Sequence, residues 1–206
     1  ADTLSSIENL DGSDHDDSLT GASDSNFLSG GNGHDRVLGL GGNDTLDGGD
    51  GSDFIVGGKG ADSIEAGDGD DFVWAGAGDL GNDTIDGGDG HDIMAGGAGD
   101  DSIVGGVGND TAFAGSGADT LDLGAGQDIA WSGEGKDQNS GGDDDDILGG
   151  GAGNDTLNGD LGNDTIYASS GADEVYGGGG DDFLYAGSNN DTLYGGEGND
   201  QMFGGD

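Results

Sequence analysis

Aspartate is the residue of this chain with the greatest capacity for chemistry, and it recurs at a spacing of nine residues. Carboxylates joined by turn carbonyls, without imidazole or thiolate ligands, select Ca²⁺ over transition metals. We therefore predict that the chain binds multiple calcium ions through one register of aspartates. These predicted ligands are Asp17, Asp35, Asp44, Asp53, Asp62, Asp71, Asp83, Asp92, Asp101, Asp110, Asp119, Asp128, Asp137, Asp146, Asp155, Asp164, Asp173, Asp182, Asp191 and Asp200.

The register holds over nearly the whole chain. Its one irregular step is of 12 residues, between Asp71 and Asp83, and Asn26 stands where one aspartate is expected. Glycines precede the aspartates and an apolar residue follows two positions later, which gives the nonapeptide G-G-x-G-x-D-x-U-x, with U apolar. We number its positions 1 to 9, so that the aspartate is at position 6 and the apolar residue at position 8.

The apolar residues at position 8 predict the core of a repeat protein, in which stacked repeats bury one continuous interior. Ala112, Ala130 and Asn139 weaken this column, and Asn139 has no evident partner, so we expect the coils around it to open most easily. The column contains Leu19, Leu28, Val37, Leu46, Ile55, Ile64, Val73, Ile85, Met94, Ile103, Leu121, Leu148, Leu157, Ile166, Val175, Leu184, Leu193 and Met202.

The repeat length predicts the architecture. Positions 1 to 6 favour a glycine-rich turn and positions 7 to 9 a three-residue strand with one inward side chain. Two repeats then complete one coil, which predicts an all-β, right-handed parallel β-roll (a β-solenoid) of about ten coils. Residues 12–206 form this single repeat domain after a lead-in at 1–11, and we expect them to be part of a longer chain. Residues 78–81 would carry the three-residue insertion as a bulged loop on one edge.

Composition supports a fold that depends on metal. The chain has 53 glycines in 206 residues, no cysteine and a formal net charge of −42. Such a composition normally indicates disorder, because little apolar surface is available to offset chain entropy. One Ca²⁺ per turn would cancel most of the charge. With only three basic residues, nucleic acid and anionic membrane surfaces are poor partners, and no segment predicts membrane insertion.

Several nonapeptides resemble those of a known family. GGDGSDFIV (48–56), GGKGADSIE (57–65), GGAGDDSIV (96–104) and GGEGNDQMF (195–203) resemble the RTX, or hemolysin-type, calcium-binding repeat. The resemblance implies a parallel β-roll in which position-6 aspartates and turn carbonyls bind Ca²⁺ between loops one coil apart. It also implies export by type I secretion and folding outside the cell. Asn26 weakens the first coil, and the turns 168–173 and 186–191 lack expected glycines.

The chain shows no catalytic motif, so we do not expect an enzyme. The leading hypothesis is a secreted, extracellular or cell-surface structural module of a larger type I-secreted protein, such as an adhesin, hydrolase, epimerase or toxin. The alternative is a calcium-dependent surface-layer or filament protein that self-associates through coil ends or aromatic stripes. Aromatic residues at position 9, including Tyr167, Tyr185 and Phe203, either pack across strands or contact a neighbouring domain, another copy or a glycan.

Overall fold

The structure, a computed structural model, describes residues 9–76 and 80–205 and contains two parallel sheets of 11 strands each. The odd-numbered strands form the first sheet: β1 (Asn9–Ser13), β3 (Phe27–Asn32), β5 (Thr45–Asp50), β7 (Ser63–Asp68), β9 (Thr84–Asp89), β11 (Ser102–Val107), β13 (Thr120–Ala125), β15 (Gln138–Asp143), β17 (Thr156–Leu161), β19 (Glu174–Gly179) and β21 (Thr192–Glu197).

The even-numbered strands form the second sheet, and the chain alternates between the two sheets at every turn. These strands are β2 (Ser18–Thr20), β4 (Arg36–Leu38), β6 (Phe54–Gly58), β8 (Phe72–Gly76), β10 (Ile93–Ala98), β12 (Thr111–Ser116), β14 (Ile129–Glu134), β16 (Ile147–Ala152), β18 (Thr165–Ser170), β20 (Phe183–Ser188) and β22 (Gln201–Phe203).

This architecture confirms the predicted all-β parallel β-solenoid with two nonapeptides per coil. Each strand pairs with the strand two earlier, so that Thr45 lies opposite Ser63, 18 residues along the chain. The sheets make about 11 coils, one more than expected, because β1 already pairs with β3. The boundary that we place between residues 11 and 12 falls inside β1.

Most strands are twice as long as the predicted three residues. The ladder of β5 and β7 continues from Thr45 and Ser63 to Asp50 and Asp68. The hydrogen-bonded ladder therefore includes positions 1 to 3 of the following nonapeptide, which the sequence assigned to the turn, although position 2 has positive φ. The glycines that suggested a turn are compatible with a strand because their conformational freedom permits both states.

The longer strands bury two residues per repeat rather than one. Position 8 is buried as predicted, from Leu28 to Leu184, with Leu10, Leu19 and Leu193 packed against this core at the two ends. Position 1, two residues further along the strand, also points inward because strand side chains alternate. Its buried non-glycine residues are Ala66, Ala75, Ala114, Leu123, Ser132, Ala168 and Ala186.

The three-residue insertion leaves both sheets in register. The spacing of paired residues rises from 18 to 21 at Ser63 and Thr84, and it returns to 18 at Ser102. Of the loop that we expected at 78–81, residues 78 and 79 lie outside the described residues, whereas Leu80 is 83% exposed. The extra residues therefore shift which residues pair without changing which side chains face the core.

Most turns have left-handed backbone at positions 2 and 4, in some cases without glycine, whereas the first two turns, with Ser13, His15, Ala22 and Asp24 at these positions, do not. Gly49 at position 2 has φ of 102°, and a Cβ there would lie 1.9 Å from the carbonyl oxygen of Gly31 one coil earlier. Every described non-glycine residue with positive φ occupies one of these two positions. They are Leu40, Asp160 and Ser169 at position 2, and Asp144 and Asn189 at position 4.

We predict that Leu40→Gly raises the free energy of unfolding of the calcium-loaded roll by about 1 kcal/mol. The φ of Leu40 is 81°, and left-handed backbone costs a non-glycine residue about 1–3 kcal/mol, partly offset by the greater chain entropy of unfolded glycine. Chemical denaturation in saturating calcium measures the change. Leu40→Ala keeps the strain and is the control, so an equal gain in both variants would contradict the argument.

Asn139 has a buried partner that the sequence did not reveal. Its side chain is 3% exposed in the column of position 8, and its Nδ2 donates to Ser132 Oγ at 3.2 Å. Ser132 occupies position 1 of the same nonapeptide, the second inward position. In the described part of the chain, the Asn139 Oδ1 atom accepts no hydrogen bond, so the pair remains half satisfied.

We predict that Asn139→Leu stabilises the roll by about 1 kcal/mol, because removal of the buried Asn139 Oδ1 without a partner outweighs loss of the hydrogen bond that Ser132 Oγ accepts. Leucine fits this column, since Leu121 and Leu157 occupy it in the coils on either side. The matched variant Ser132→Ala should instead destabilise the roll by leaving Asn139 Nδ2 unpaired. At limiting calcium, hydrogen exchange should show that residues 128–142 open before residues 92–110 in the wild type. In Asn139→Leu this difference should disappear, and the same order of opening in both proteins would refute the prediction.

Candidate metal-binding turns

The predicted aspartates lie in two columns, one along each edge of the roll. Turns that lead from the first sheet to the second contain Asp17, Asp35, Asp53, Asp71, Asp92, Asp110, Asp128, Asp146, Asp164, Asp182 and Asp200. Turns that lead back contain Asn26, Asp44, Asp62, Asp83, Asp101, Asp119, Asp137, Asp155, Asp173 and Asp191.

Within each column, consecutive aspartates are joined by a hydrogen bond that the sequence analysis missed. The Asp35 N–H donates to Asp53 Oδ1 at 2.7 Å, and the Asp53 N–H donates to Asp71 Oδ1 at 2.7 Å. The same bond recurs along both edges, from Asp17 to Asp200. The repeat of 18 residues predicts that these aspartates lie in adjacent coils. It does not predict that the main-chain N–H of one donates to the carboxylate of the next.

In 15 of these carboxylates the second oxygen is buried and has no hydrogen-bond partner in the described residues. Such an atom costs about 1–3 kcal/mol or more unless a cation or donor reaches it. The Oδ2 atoms in this state belong to Asp35, Asp44, Asp53, Asp71, Asp92, Asp110, Asp119, Asp128, Asp137, Asp146, Asp155, Asp164, Asp173, Asp182 and Asp191.

Where position 1 is glycine, the Oδ2 atom lies close to that glycine together with a main-chain oxygen of the next coil. A Cβ built on Gly30 would lie 2.4 Å from Asp35 Oδ2 and 2.4 Å from the carbonyl oxygen of Gly48 in the next coil. Gly177 has the same surroundings, with Asp182 Oδ2 at 2.3 Å and the Gly195 oxygen at 2.4 Å. Glycine thus leaves open a small volume into which two oxygens from adjacent coils point.

Turn carbonyls at position 4 also face the neighbouring coil. A Cβ on Gly51 would lie 1.6 Å from the Gly33 oxygen, and a Cβ on Gly153 would lie 1.4 Å from the Gly135 oxygen. The peptide oxygens of one turn are therefore directed at the turn above it. Together with the position-6 carboxylates, they supply the neutral and charged oxygen atoms that Ca²⁺ prefers.

Side chains alone do not form a metal site. In residues 9–76 and 80–205, no group of three or more histidine, cysteine, aspartate or glutamate side chains could hold a metal ion. A bound cation would therefore need main-chain carbonyls as ligands. This donor set fits calcium, which accepts many oxygen ligands in flexible geometry, better than zinc or the octahedral Mg²⁺.

Burial raises the pKa of many position-6 aspartates. The pKa of Asp71, Asp119 and Asp146 rises from 3.8 to about 7, because burial disfavours the charged form more than the main-chain hydrogen bond favours it. Neighbouring carboxylates add to the rise. The pKa values of Asp92, Asp128, Asp164 and Asp173 are raised to about 6 by burial.

The fold and these turns define a parallel β-roll with rows of carboxylate and main-chain oxygens along both edges. A family comparison matches the RTX calcium-binding nonapeptide repeat (4 copies) to residues 11–46, 47–79, 78–103, 104–138, 140–175 and 176–206. The chain therefore belongs to the RTX calcium-binding nonapeptide repeat family, as its nonapeptides suggested. No curated protein matches the chain. Among the described residues, no helix is long and apolar enough to cross a membrane.

We predict opposite effects of pH with and without calcium. Because the pKa of Asp71 is higher in the folded than in the unfolded chain, protonation favours the folded state. The free energy of unfolding is therefore greatest below about pH 4, the unfolded pKa, and falls as pH rises through the folded pKa of about 7. In calcium-free buffer, β structure should therefore increase on acidification. With calcium, protons compete for the same oxygens, so the midpoint calcium concentration should rise about tenfold between pH 8 and pH 5.5.

Far-UV circular dichroism during calcium titrations at several pH values measures both effects. Constant ionic strength controls for general screening of the acidic surface. A calcium midpoint that does not change with pH would show that the buried carboxylates are not the titrating ligands.

Proposed function

We propose that this chain is an extracellular calcium-binding structural module that folds when it meets Ca²⁺ outside the cell. The observation that carries the proposal is the column of buried carboxylate oxygens without hydrogen-bond partners along each edge. Burying an ionised carboxylate away from water costs a large free energy unless a cation compensates for the lost hydration. Calcium would supply that compensation and would reduce the magnitude of the net charge of −42.

The proposed ligands are the position-6 aspartates together with carbonyls of positions 1, 2 and 4 in the same and adjacent coils. A calcium ion bound there would neutralise the carboxylates and link adjacent coils. The contribution of the protein is to position the ligand oxygens. Interior coils provide such atoms on both sides. Asn26 lacks a carboxylate, and Asp191 and Asp200 are less buried than the interior members, so we expect weaker sites there.

The location of the protein follows from the calcium concentration that such sites need. Extracellular calcium modules bind at about 10⁻⁴–10⁻³ M, a concentration typical of the outside of a cell but not of cytosol. The chain would then remain open during export and fold afterwards. We propose type I secretion and a larger parent protein (an adhesin, hydrolase, epimerase or toxin) on the basis of the family's general properties.

In residues 9–76 and 80–205, no arrangement of side chains supports a catalytic role. The carboxylates that could act as acids or bases are arranged as a repeating ladder with their Oδ1 atoms fixed by main-chain N–H groups. This repetition serves the stacking of coils, whereas an enzyme needs one asymmetric constellation around a reacting atom. A second candidate function, self-assembly into a surface layer or filament, draws support from the exposed apolar residues of the second sheet.

We predict that Asp119→Asn weakens calcium-induced folding without harming the metal-free chain. Asp119 is fully buried and its Oδ1 accepts the Asp101 N–H at 2.8 Å, a bond that asparagine can also accept. The variant therefore removes charge but keeps the ladder. The calcium midpoint for β structure should rise, and fewer ions should bind in equilibrium dialysis.

The matched control is Asp122→Asn, which removes the same charge from an exposed position three residues away. It should leave both midpoint and ion count nearly unchanged, because exposed charges are screened by solvent and salt. Equal shifts in the two variants would show that net charge, rather than the buried site, controls folding. Equal β content with and without calcium in the wild type would overturn the proposal itself.

A further inference from the structure

The two outer faces of the roll differ sharply in chemistry. In both sheets, positions 7 and 9 point outward. In the first sheet they include the acidic residues Asp47, Glu65, Asp86 and Asp122. In the second sheet, whose strand residues the structure describes throughout β2 to β22, no aspartate or glutamate occupies position 7 or 9. Arg36 is the one charged residue among them.

We call the position-7 and position-9 residues of the second sheet the apolar face. Large hydrophobic side chains on it are more than a third exposed, including Phe54, Phe72, Trp74, Phe113 and Trp131. A contiguous surface of this kind exceeds what a monomeric soluble protein normally exposes. In a chain with 45 acidic residues, its lack of carboxylates marks it as a surface that can lose water without burying an acidic side chain.

We propose that the apolar face binds the apolar face of a second copy of this chain, forming a symmetric dimer. The ten strands β4 to β22 give a face of about 45 Å by 15 Å, or about 700 Å² per copy. Stable interfaces bury about 800 Å² per partner, so the available area is close to what a dimer needs. Sheets packed face to face lie about 10 Å apart, as in a β-sandwich.

Charge favours this arrangement over other contacts between copies. Packing apolar face to apolar face leaves the acidic first sheets on the two outer surfaces, separated by several Debye lengths at physiological salt. Any contact through the first sheet or the turns would instead bring carboxylates together. The dimer should therefore tighten with calcium and with added salt, because both reduce repulsion between the acidic edges.

The ring geometry argues against a sugar as the occupant. Tyr167 and Tyr185 stack with centroids 5.0 Å apart and planes 11° apart, and Tyr185 stacks on Phe203 at 4.8 Å and 8°. Phe54 and Phe72 stack in the same way at 5.3 Å and 1°. In these stacks the neighbouring coils cover ring faces, so the ring edges point outward. Ring edges and aliphatic groups suit sheet packing, whereas sugars stack on exposed ring faces.

The decisive experiment measures the mass of the calcium-loaded chain by sedimentation velocity up to about 100 µM, where an interface of this size should associate. The wild type should be a dimer. Phe72→Thr, Phe113→Thr and Phe183→Thr combined should be a monomer with an unchanged circular dichroism spectrum. Threonine suits exposed strand positions and already occupies position 7 elsewhere in this sheet.

The matched control changes three outward residues of the first sheet, Val104→Thr, Tyr176→Thr and Tyr194→Thr, and should remain a dimer. A wild-type monomer at all concentrations overturns the proposal, including a monomer that binds uncharged vesicles or a polysaccharide. A control that dissociates as fully as the test variant overturns it too. Because circular dichroism reports calcium-dependent folding separately, failure of the dimer is distinguishable from failure of the calcium proposal.

Cysteine crosslinking provides a second measurement that does not depend on removing side chains. The chain contains no cysteine, so Thr111→Cys places a single thiol on β12, near the middle of the apolar face. A two-fold axis brings this position close to its own copy whether the rolls run parallel or antiparallel. Oxidation should link Thr111→Cys into dimers much faster than Thr120→Cys on the first sheet. Equal rates would overturn the proposed face.

Discussion

The carboxylate at position 6 both joins coils and introduces charge between them, and the rest of the roll depends on how these two effects combine. Its Oδ1 accepts a main-chain N–H from the preceding coil, which fixes the side chain inside the turn. Its Oδ2 is thereby held in a buried position where hydration is lost. The hydrogen bond alone does not offset that loss, as the raised pKa values of Asp71 and Asp119 indicate. On the function proposed above, a divalent cation bound to Oδ2 would offset this loss and add a further link between adjacent coils.

Close stacking of the turns imposes the glycine pattern. The carbonyl oxygens of one turn lie so near the next that a Cβ at Gly51 or Gly153 would overlap them. Where another residue replaces glycine, as at Leu40 and Asp144, the backbone stays left-handed and accepts the strain. Turn geometry is therefore set by the repeat as a whole, since the hydrogen bonds of the adjacent coils hold each turn in place.

Much of the fold was predictable because two columns report directly on geometry. The aspartates at a spacing of nine, and the apolar residues two positions later, gave the parallel roll and its two repeats per coil. The inward direction of position 1 was not predicted, since glycine there carries no pattern of hydrophobicity. Ala66 and Leu123 were the available clues. The Asn139–Ser132 contact could not be predicted either. The two residues are seven apart in sequence, and both are expected to face the core only if the strands extend beyond the three predicted residues.

The alternation of the chain between two sheets restricts how such a protein can change its length. The three extra residues before Asp83 are accommodated by one turn, and all later nonapeptides keep their sheet. Gain or loss of a single nonapeptide would act differently, because every later repeat would move to the opposite sheet. Downstream of that point the phenylalanines and tryptophans would join the acidic surface, and acids would join the apolar one. Duplications of 18 residues keep both surfaces continuous, so evolution of this chain by repeat exchange is constrained to whole coils wherever a surface has a role.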